Sequence, residues 1–262
     1  MKQPASHLSL WLPPLLAGLA ILALWQGAIT VGGIPSYLLP SPAAVLDALI
    51  RERHSLLPSA LRTGGAALVG FASAVVGGGL IALALASSRW VKAALYPWVL
   101  ALQMVPGVVL IPIFVIWFGA GLPSITAAAF IIAFFPVVAN TTLGLVSTDR
   151  GLLELFAVNG ATKWQEVRYL RLPFALPYFL TGVKIAATLA PIGAIAGEFL
   201  AGTTPNTLGY LILIYRSDPT KMPEVYSIAL VTCVLGFLFV GAVQLLTWLL
   251  LRRWHDSATH SE

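Results

Sequence analysis

The chain has 262 residues, of which 58% are hydrophobic and only 10% charged, and its mean hydropathy is +0.89. Soluble globular chains carry roughly a quarter charged residues, so the 15 basic and 10 acidic side chains here cannot clothe a water-soluble monomer, and a lipid bilayer is the solvent this composition fits. The net charge of +5 then bears on membrane orientation rather than on nucleic acid, for no segment has the clustered basic face interleaved with aromatics that nucleic-acid binding needs.

A spanning helix needs roughly 20 mainly apolar residues, and six segments qualify, at about 8–29, 60–86, 91–118, 122–147, 174–201 and 225–251. The first has few flanking charges (Lys2) and no small-residue cleavage site after its apolar core, so it reads as a retained helix rather than a cleaved signal. In the second, Gly77, Gly78 and Gly79, with Gly70 two turns earlier, offer a small-residue face where another helix can come close. The third contains Pro97, Pro106 and Pro112, the fourth Pro136, the fifth Pro177 and Pro191. Each proline removes a backbone donor, leaving a carbonyl to be satisfied by neighbouring protein or water, which places these helices inside a bundle. Met104 and Trp117 are expected in the core. Cys233 lies in the apolar sixth segment and, as the only cysteine, has no intrachain partner.

Six crossings put both termini on one side. With that side cytoplasmic, the inside segments carry nine basic residues (Lys2, Arg89, Lys92, Arg150, Lys163, Arg168, Arg171, Arg252, Arg253) and the outside segments five (Arg51, Arg53, Arg62, Arg216, Lys221). The positive-inside rule therefore favours cytoplasmic termini.

The longest inside segment, 148–173, has its own pattern. Ser147, Thr148 or Asp149 can cap a short amphipathic helix through Leu152, Leu153, Glu154, Phe156 and Ala157, which stops at Asn159-Gly160, a pair suited to a left-handed helix end. Thr162 and Gln165 then form a capping box for a second helix, with Trp164, Val167 and Leu170 on one face, ending before Leu172-Pro173.

Glu154, Gly160, Leu170, Leu172 and Pro173 fall at the spacing of the cytoplasmic loop signature of bacterial ABC importer permeases: E-A-A, three residues, G, nine residues, I, one residue, L-P. The segment resembles that signature, departing from it at Leu155 and Phe156, where it has alanines, and at Leu170, where it has isoleucine. Further stretches are similar to the nitrate, sulfonate, taurine and bicarbonate branch of these permeases and to permeases for pyrimidine precursors of thiamine. They are Leu39-Pro40-Ser41-Pro42, Pro112–Gly119, Phe134–Thr141, Leu176-Pro177 with Thr181–Ala186, and Gly197-Glu198-Phe199 with Leu208–Leu211.

The resemblance implies an all-α integral membrane protein of the bacterial cytoplasmic (inner) membrane. It would have six transmembrane helices in the type I ABC importer permease fold, with residues 1–262 as one permease domain. It also implies a homodimer of this permease in contact with membrane lipid, two copies of an ABC ATPase subunit at the inside face, and an external substrate-binding protein. The loop would be the coupling element that docks on the ATPase, through Glu154, Leu155, Phe156, Asn159, Gly160, Ala161, Leu170, Leu172 and Pro173. The chain contains no G-x-x-x-x-G-K-[ST] motif, so it is expected to be no enzyme and to bind no cofactor, with ATP and Mg held by the partner ATPase. Solutes within reach of the resemblance are nitrate, sulfonates or taurine, bicarbonate and thiamine-pyrimidine precursors.

Polar groups at membrane depth are costly unless they face a cavity or a partner, which makes Gln103, Asn140, Thr141 and Glu198 path residues to consider, with Thr142 and Thr188 beside them. For the neutral ones a hydrogen bond between helices is the competing role. Glu198 lies some 24 residues, roughly 36 Å along a helix, from the inside start of its span. There it either serves the outer gate or the binding protein, or is a helix-end carboxylate satisfied by Thr203, Thr204 or backbone groups. Lys184 is either an anion ligand or a side chain snorkelling to the headgroups, and His255 and His260 sit in a polar tail, where metal binding is not expected. A secondary transporter driven by an ion gradient would show buried carboxylates near the midplane and repeated halves. A membrane enzyme would need a nucleophile or metal set at that depth. Neither pattern is evident.

Overall fold

The computed structural model describes residues 7–87, 89–202 and 204–251, and among these the chain is helical with no strand. In chain order the helices are α1 His7–Gly32, α2 Pro42–Arg51, α3 Arg53–Ser87, α4 Arg89–Met104, α5 Ile111–Phe118, α6 Leu122–Val146, α7 Arg150–Val158, α8 Lys163–Glu166, α9 Leu172–Ala201, α10 Leu208–Tyr215 and α11 Met222–Leu251. Five helical stretches are long and apolar enough to cross a membrane: Leu12–Gly32, Arg53–Ser87, Leu122–Val146, Lys163–Ala201 and Pro219–Leu249.

The third expected span, 91–118, is not one helix. It breaks after Met104 and resumes as a 3-10 turn, Gly107–Leu110, followed by α5. Pro106 excludes the helical conformation from the residue before it and supplies no N–H, and Pro112 then takes a first-turn position of α5, where none is needed. Two short elements were not foreseen. These are α2, capped by Ser41 whose hydroxyl accepts from the Ala44 amide at 3.2 Å, and α10.

The described residues fall into two compact units. In the smaller (residues up to 57, and 211–231), Glu224 is 2% exposed and lies 3.6 Å from Arg51 and 3.4 Å from Lys221. The Tyr215 hydroxyl donates to Glu52 at 3.2 Å, and burial, reinforced by the Glu52 charge, raises the phenol above its ordinary pKa. The Tyr226 hydroxyl donates to the Leu38 carbonyl at 3.0 Å.

The larger unit (58–210, and 232 onward) is organised on α6 and α9. Ile125, Ala128, Ala129, Ala133 and Val137 of α6 and Ala186, Ala187, Ala190 and Ala194 of α9 are fully buried. The two helices run antiparallel with backbones nearly touching. A Cβ on Gly182 would stand 2.8 Å from the Pro136 carbonyl oxygen, and one on Gly193 would stand 2.9 Å from those of Ala128 and the Cα of Ala129. The glycine face expected on α3 meets α6 at three of its four positions, two of them closely: a Cβ would lie 2.7 Å from Ala129 Cβ at Gly70 and 2.9 Å from Val137 at Gly78, and 3.8 Å from Phe130 and Phe134 at Gly77.

Replacing Gly193 by valine forces α6 and α9 apart, and overpacking of this kind costs about 1–3 kcal/mol or more. A lowered thermal midpoint in detergent is expected. Gly236→Ala, where a Cβ has no neighbour within 4 Å, should leave the midpoint unchanged.

Candidate functional site

The segment joining α6 to α9 is shaped by local hydrogen bonds. Asp149 caps α7, its Oδ1 accepting from the Leu152 amide at 3.1 Å. At the far end Gly160 adopts φ +70°, its amide donates to the Ala157 carbonyl and the Ala161 amide to the Phe156 carbonyl, each at 3.0 Å. These paired bonds form a Schellman ending, which requires a left-handed residue after the cap. The expected capping box is present: the Gln165 amide donates to Thr162 Oγ1 at 3.3 Å and the Thr162 amide to Gln165 Oε1 at 2.7 Å.

The second loop helix was expected to stop before Leu172-Pro173, but the chain stays helical from Lys163 to Ala201. A π-turn over Val167–Arg171 makes this possible, because its wider ring absorbs the register change where Pro173 offers no donor. The π-turn follows Glu166 and ends at Arg171, five residues later. Arg171 Nε and Nη2 both lie 2.6 Å from Glu166 Oε1, and Nη1 donates to the Leu145 carbonyl, in the last turn of α6, at 3.2 Å.

The nine signature-region residues do not share one environment. Glu154, Leu155, Asn159 and Gly160 are exposed, Phe156, Ala161 and Pro173 are half-buried, Leu172 is at the margin of exposure, and Leu170 is buried. Outside that set, Val158 is 86%, Trp164 66%, Tyr169 63% and Leu152 41% exposed, so with Leu155 the loop carries several large apolar side chains that the described residues leave largely uncovered.

The polar residues at membrane depth are dispersed. The Asn140 amide donates to the Pro136 carbonyl at 2.8 Å and the Thr141 hydroxyl to the Val137 carbonyl at 2.6 Å, both inside α6. Thr141 also borders an apolar groove of about 410 Å³ with Val75, Gly79, Leu83, Leu176 and Phe179. Gln103 and Lys184 are exposed, and Thr188 donates to the Lys184 carbonyl at 3.2 Å. Met104 and Trp117, expected in the core, are 83% and 69% exposed in the single chain, because a membrane protein turns apolar side chains outward as readily as inward. Their hydrophobicity alone therefore carries no burial signal.

Glu198 is 2% exposed and is the centre of a buried hydrogen-bond node. Its Oε1 accepts from the Thr63 hydroxyl and its Oε2 from the Gly209 amide, both at 2.7 Å, while Thr63 Oγ1 accepts from the Leu208 amide at 3.1 Å. One carboxylate thus joins the C-terminal end of α9, the start of α10 and α3. The amides come from the first turn of α10, where backbone donors lack helical partners and favour negative charge. Of the partners expected, a backbone group is present, Thr204 Oγ1 has no hydrogen-bond partner, and Thr203 lies outside the described residues. Thr63 was missed, being 135 residues away in sequence.

Residues 74–250 match the family described as the binding-protein-dependent transport system inner membrane component. The chain belongs to this family. The permease is 37% identical over 90% of its length to the riboflavin transport system permease RibX of Chloroflexus aurantiacus, of which it covers 88%. It is also 37% identical over 92% of its length to the formylaminopyrimidine transport permease ThiX of Halalkalibacterium halodurans, covering 95% of it. Sulfonate and taurine transport permeases are further relatives, in line with the branch resemblance. In fold the permease is similar to the crystal structure of an amino acid ABC transporter with histidines, with a TM-score of 0.61 and 18% identity, across 78% of this chain and 96% of that one. Its all-α integral membrane architecture is that of type I importer permeases.

Gly209→Ala puts a methyl group 2.6 Å from Glu198 Cβ and opens the node. Leaving a buried carboxylate short of a donor costs about 1–3 kcal/mol or more, so both this variant and Thr63→Ala should lower the detergent thermal midpoint. Combining them should cost less than the sum of the two, since both act on one carboxylate.

Proposed function

We propose that this ABC transporter permease works as a homodimer with two ATPase subunits and an external substrate-binding protein. In this reading both termini are cytoplasmic, residues 1–262 act as one permease domain, and the 148–173 loop docks on the ATPase. The observation that carries the coupling role is the exposed apolar set of Leu155, Val158 and Trp164, held around a left-handed turn at Gly160. Such exposed apolar side chains on the segment joining α6 to α9 fit a partner's groove. ATP binding would draw the ATPase subunits together, displace the docked loops and switch the permease between inward- and outward-facing states. ATP and Mg belong to the partner in this scheme.

Among the solutes compatible with this branch, we favour a planar nitrogen heterocycle of the pyrimidine or flavin type. The two relatives that share 37% identity are named for riboflavin and formylaminopyrimidine, whereas the Escherichia coli sulfonate and taurine relatives share 30% and 28%. The chemistry agrees, since the residues singled out for the path, Gln103, Asn140 and Thr141, are neutral hydrogen-bonding groups. Glu198 already has its donors in the buried node and is not free to receive a solute. Lys184, the cation that would serve nitrate or a sulfonate, is exposed on α9, as a snorkelling lysine would be.

The test is co-purification in mild detergent from the native host. The tagged chain should recover an ATPase, and Val158→Asp should abolish that recovery while the chain still accumulates in the membrane. Gly160→Val, which places a β-branched residue at positive φ, should weaken it, the left-handed conformation costing about 1–2 kcal/mol. Cells should accumulate labelled formylaminopyrimidine or riboflavin and not taurine. A chain recovered alone that still transports would instead indicate a gradient-driven carrier.

A further inference from the structure

We infer that Arg171 is the positioning residue that makes the coupling loop and the α6/α9 pair move as one body. This rests on the docking role proposed for the loop. The loop is attached to the bundle at its two chain ends, and each attachment has a weak point. After α6 the chain leaves the helix at Ser147 before α7 begins, so the covalent link there is a short non-helical connection. Before α9 the helix passes through the π-turn over Val167–Arg171, where the regular hydrogen-bond register is interrupted. A force on α7 or α8 could therefore be lost by flexing at either place.

Arg171 spans the second and ties the end of α6 to the root of α9, so that the two attachments of the loop are held as one piece. Its Nε and Nη2 hold Glu166 Oε1, each at 2.6 Å, spanning the π-turn from one end to the other. Its Nη1 holds the Leu145 carbonyl at 3.2 Å, fixing the C-terminal turn of α6 to the root of α9. Leu145 is itself fully buried and packs with Ala82 and Ala175, so the carbonyl belongs to the rigid part of the bundle. The guanidinium suits the task because it is planar and presents several donors in a fixed fork, which lets one side chain serve a carboxylate and a carbonyl together. A lysine ammonium, a single point of charge on a flexible stem, cannot hold that pair of directions. Arg171 and Glu166 are each about a quarter exposed, so the fork is shielded but reachable from the cytoplasmic-loop side of the spans.

The experiment compares the whole complex carrying Arg171→Ala, Arg171→Lys or Glu166→Gln with the parent, reading ATPase recovery, ATP hydrolysis and solute transported per ATP in proteoliposomes. We expect Arg171→Ala to retain stoichiometric ATPase and near-parental hydrolysis while transport per ATP falls about tenfold, the scale of a typical inter-site coupling energy. Arg171→Lys should restore little of it. Glu166→Gln, which leaves the strap to Leu145 in place, should lose less than Arg171→Ala, and it serves as the test if the alanine chain fails to accumulate. Unchanged transport per ATP in Arg171→Ala, or in Glu166→Gln where that is the surviving variant, overturns the inference. So does loss of the ATPase from Arg171→Ala, which would make Arg171 a docking contact instead. A parent chain that recovers no ATPase refutes the docking role itself, a result separable from either outcome.

Discussion

The close approach of α6 and α9 is the contact on which the larger unit of the permease is built. In a bilayer, two apolar helices gain nothing by leaving lipid for each other, because the acyl chains are as apolar as leucine. Association has to come from van der Waals contact at short range. Alanines and glycines spaced along both helices permit it, with Gly182 and Gly193 letting the α9 backbone rest against the α6 backbone. α3 reaches the same pair through Gly70 and Gly78. Of the prolines inside these helices, Pro191 is buried and Pro136 half-buried, where neighbouring chain surrounds the interrupted backbone, whereas Pro58 and Pro177 are exposed in the single chain.

Each end of that antiparallel pair carries a polar device. At one end the loop leaves α6 and returns to α9, with Arg171 reaching Glu166 and Leu145. At the other end Glu198 reaches Thr63 and the first amides of α10 directly or through Thr63. Polar bonds concentrate at the ends because an unsatisfied polar group costs several kcal/mol in hydrocarbon, and the helix termini are where free backbone donors and acceptors exist. The spans between them pack almost wholly through apolar contact. A body so arranged can transmit a displacement from end to end, since close-packed helices deform little and polar ends fix what is attached to them.

The loop was the part most legible in the sequence. Asp149, Gly160, Thr162 and Gln165 act on neighbours within a few residues, so capping and turn chemistry could be read from spacing alone. Of these four, Gly160 also belongs to the family signature. The third span was misjudged as continuous although its prolines were noted, because hydropathy reports depth in the membrane and not whether a helix persists. Met104 and Trp117 were assigned to the core on hydrophobicity, a property that in this solvent does not distinguish inside from outside.

Sequence by itself determined the solvent of this protein, the position of its long apolar helices other than the broken third, the caps and left-handed turn of its loop, and the family those features indicate. All of these depend on composition or on interactions within one or two helical turns. The tertiary structure alone decided which glycines meet a facing backbone, that Glu198 is matched by Thr63 from 135 residues away, and that a π-turn brings Arg171 onto both Glu166 and Leu145. Those outcomes depend on how helices lie against one another and on a register change with no residue signature, and neither is written in the local spacing of the chain.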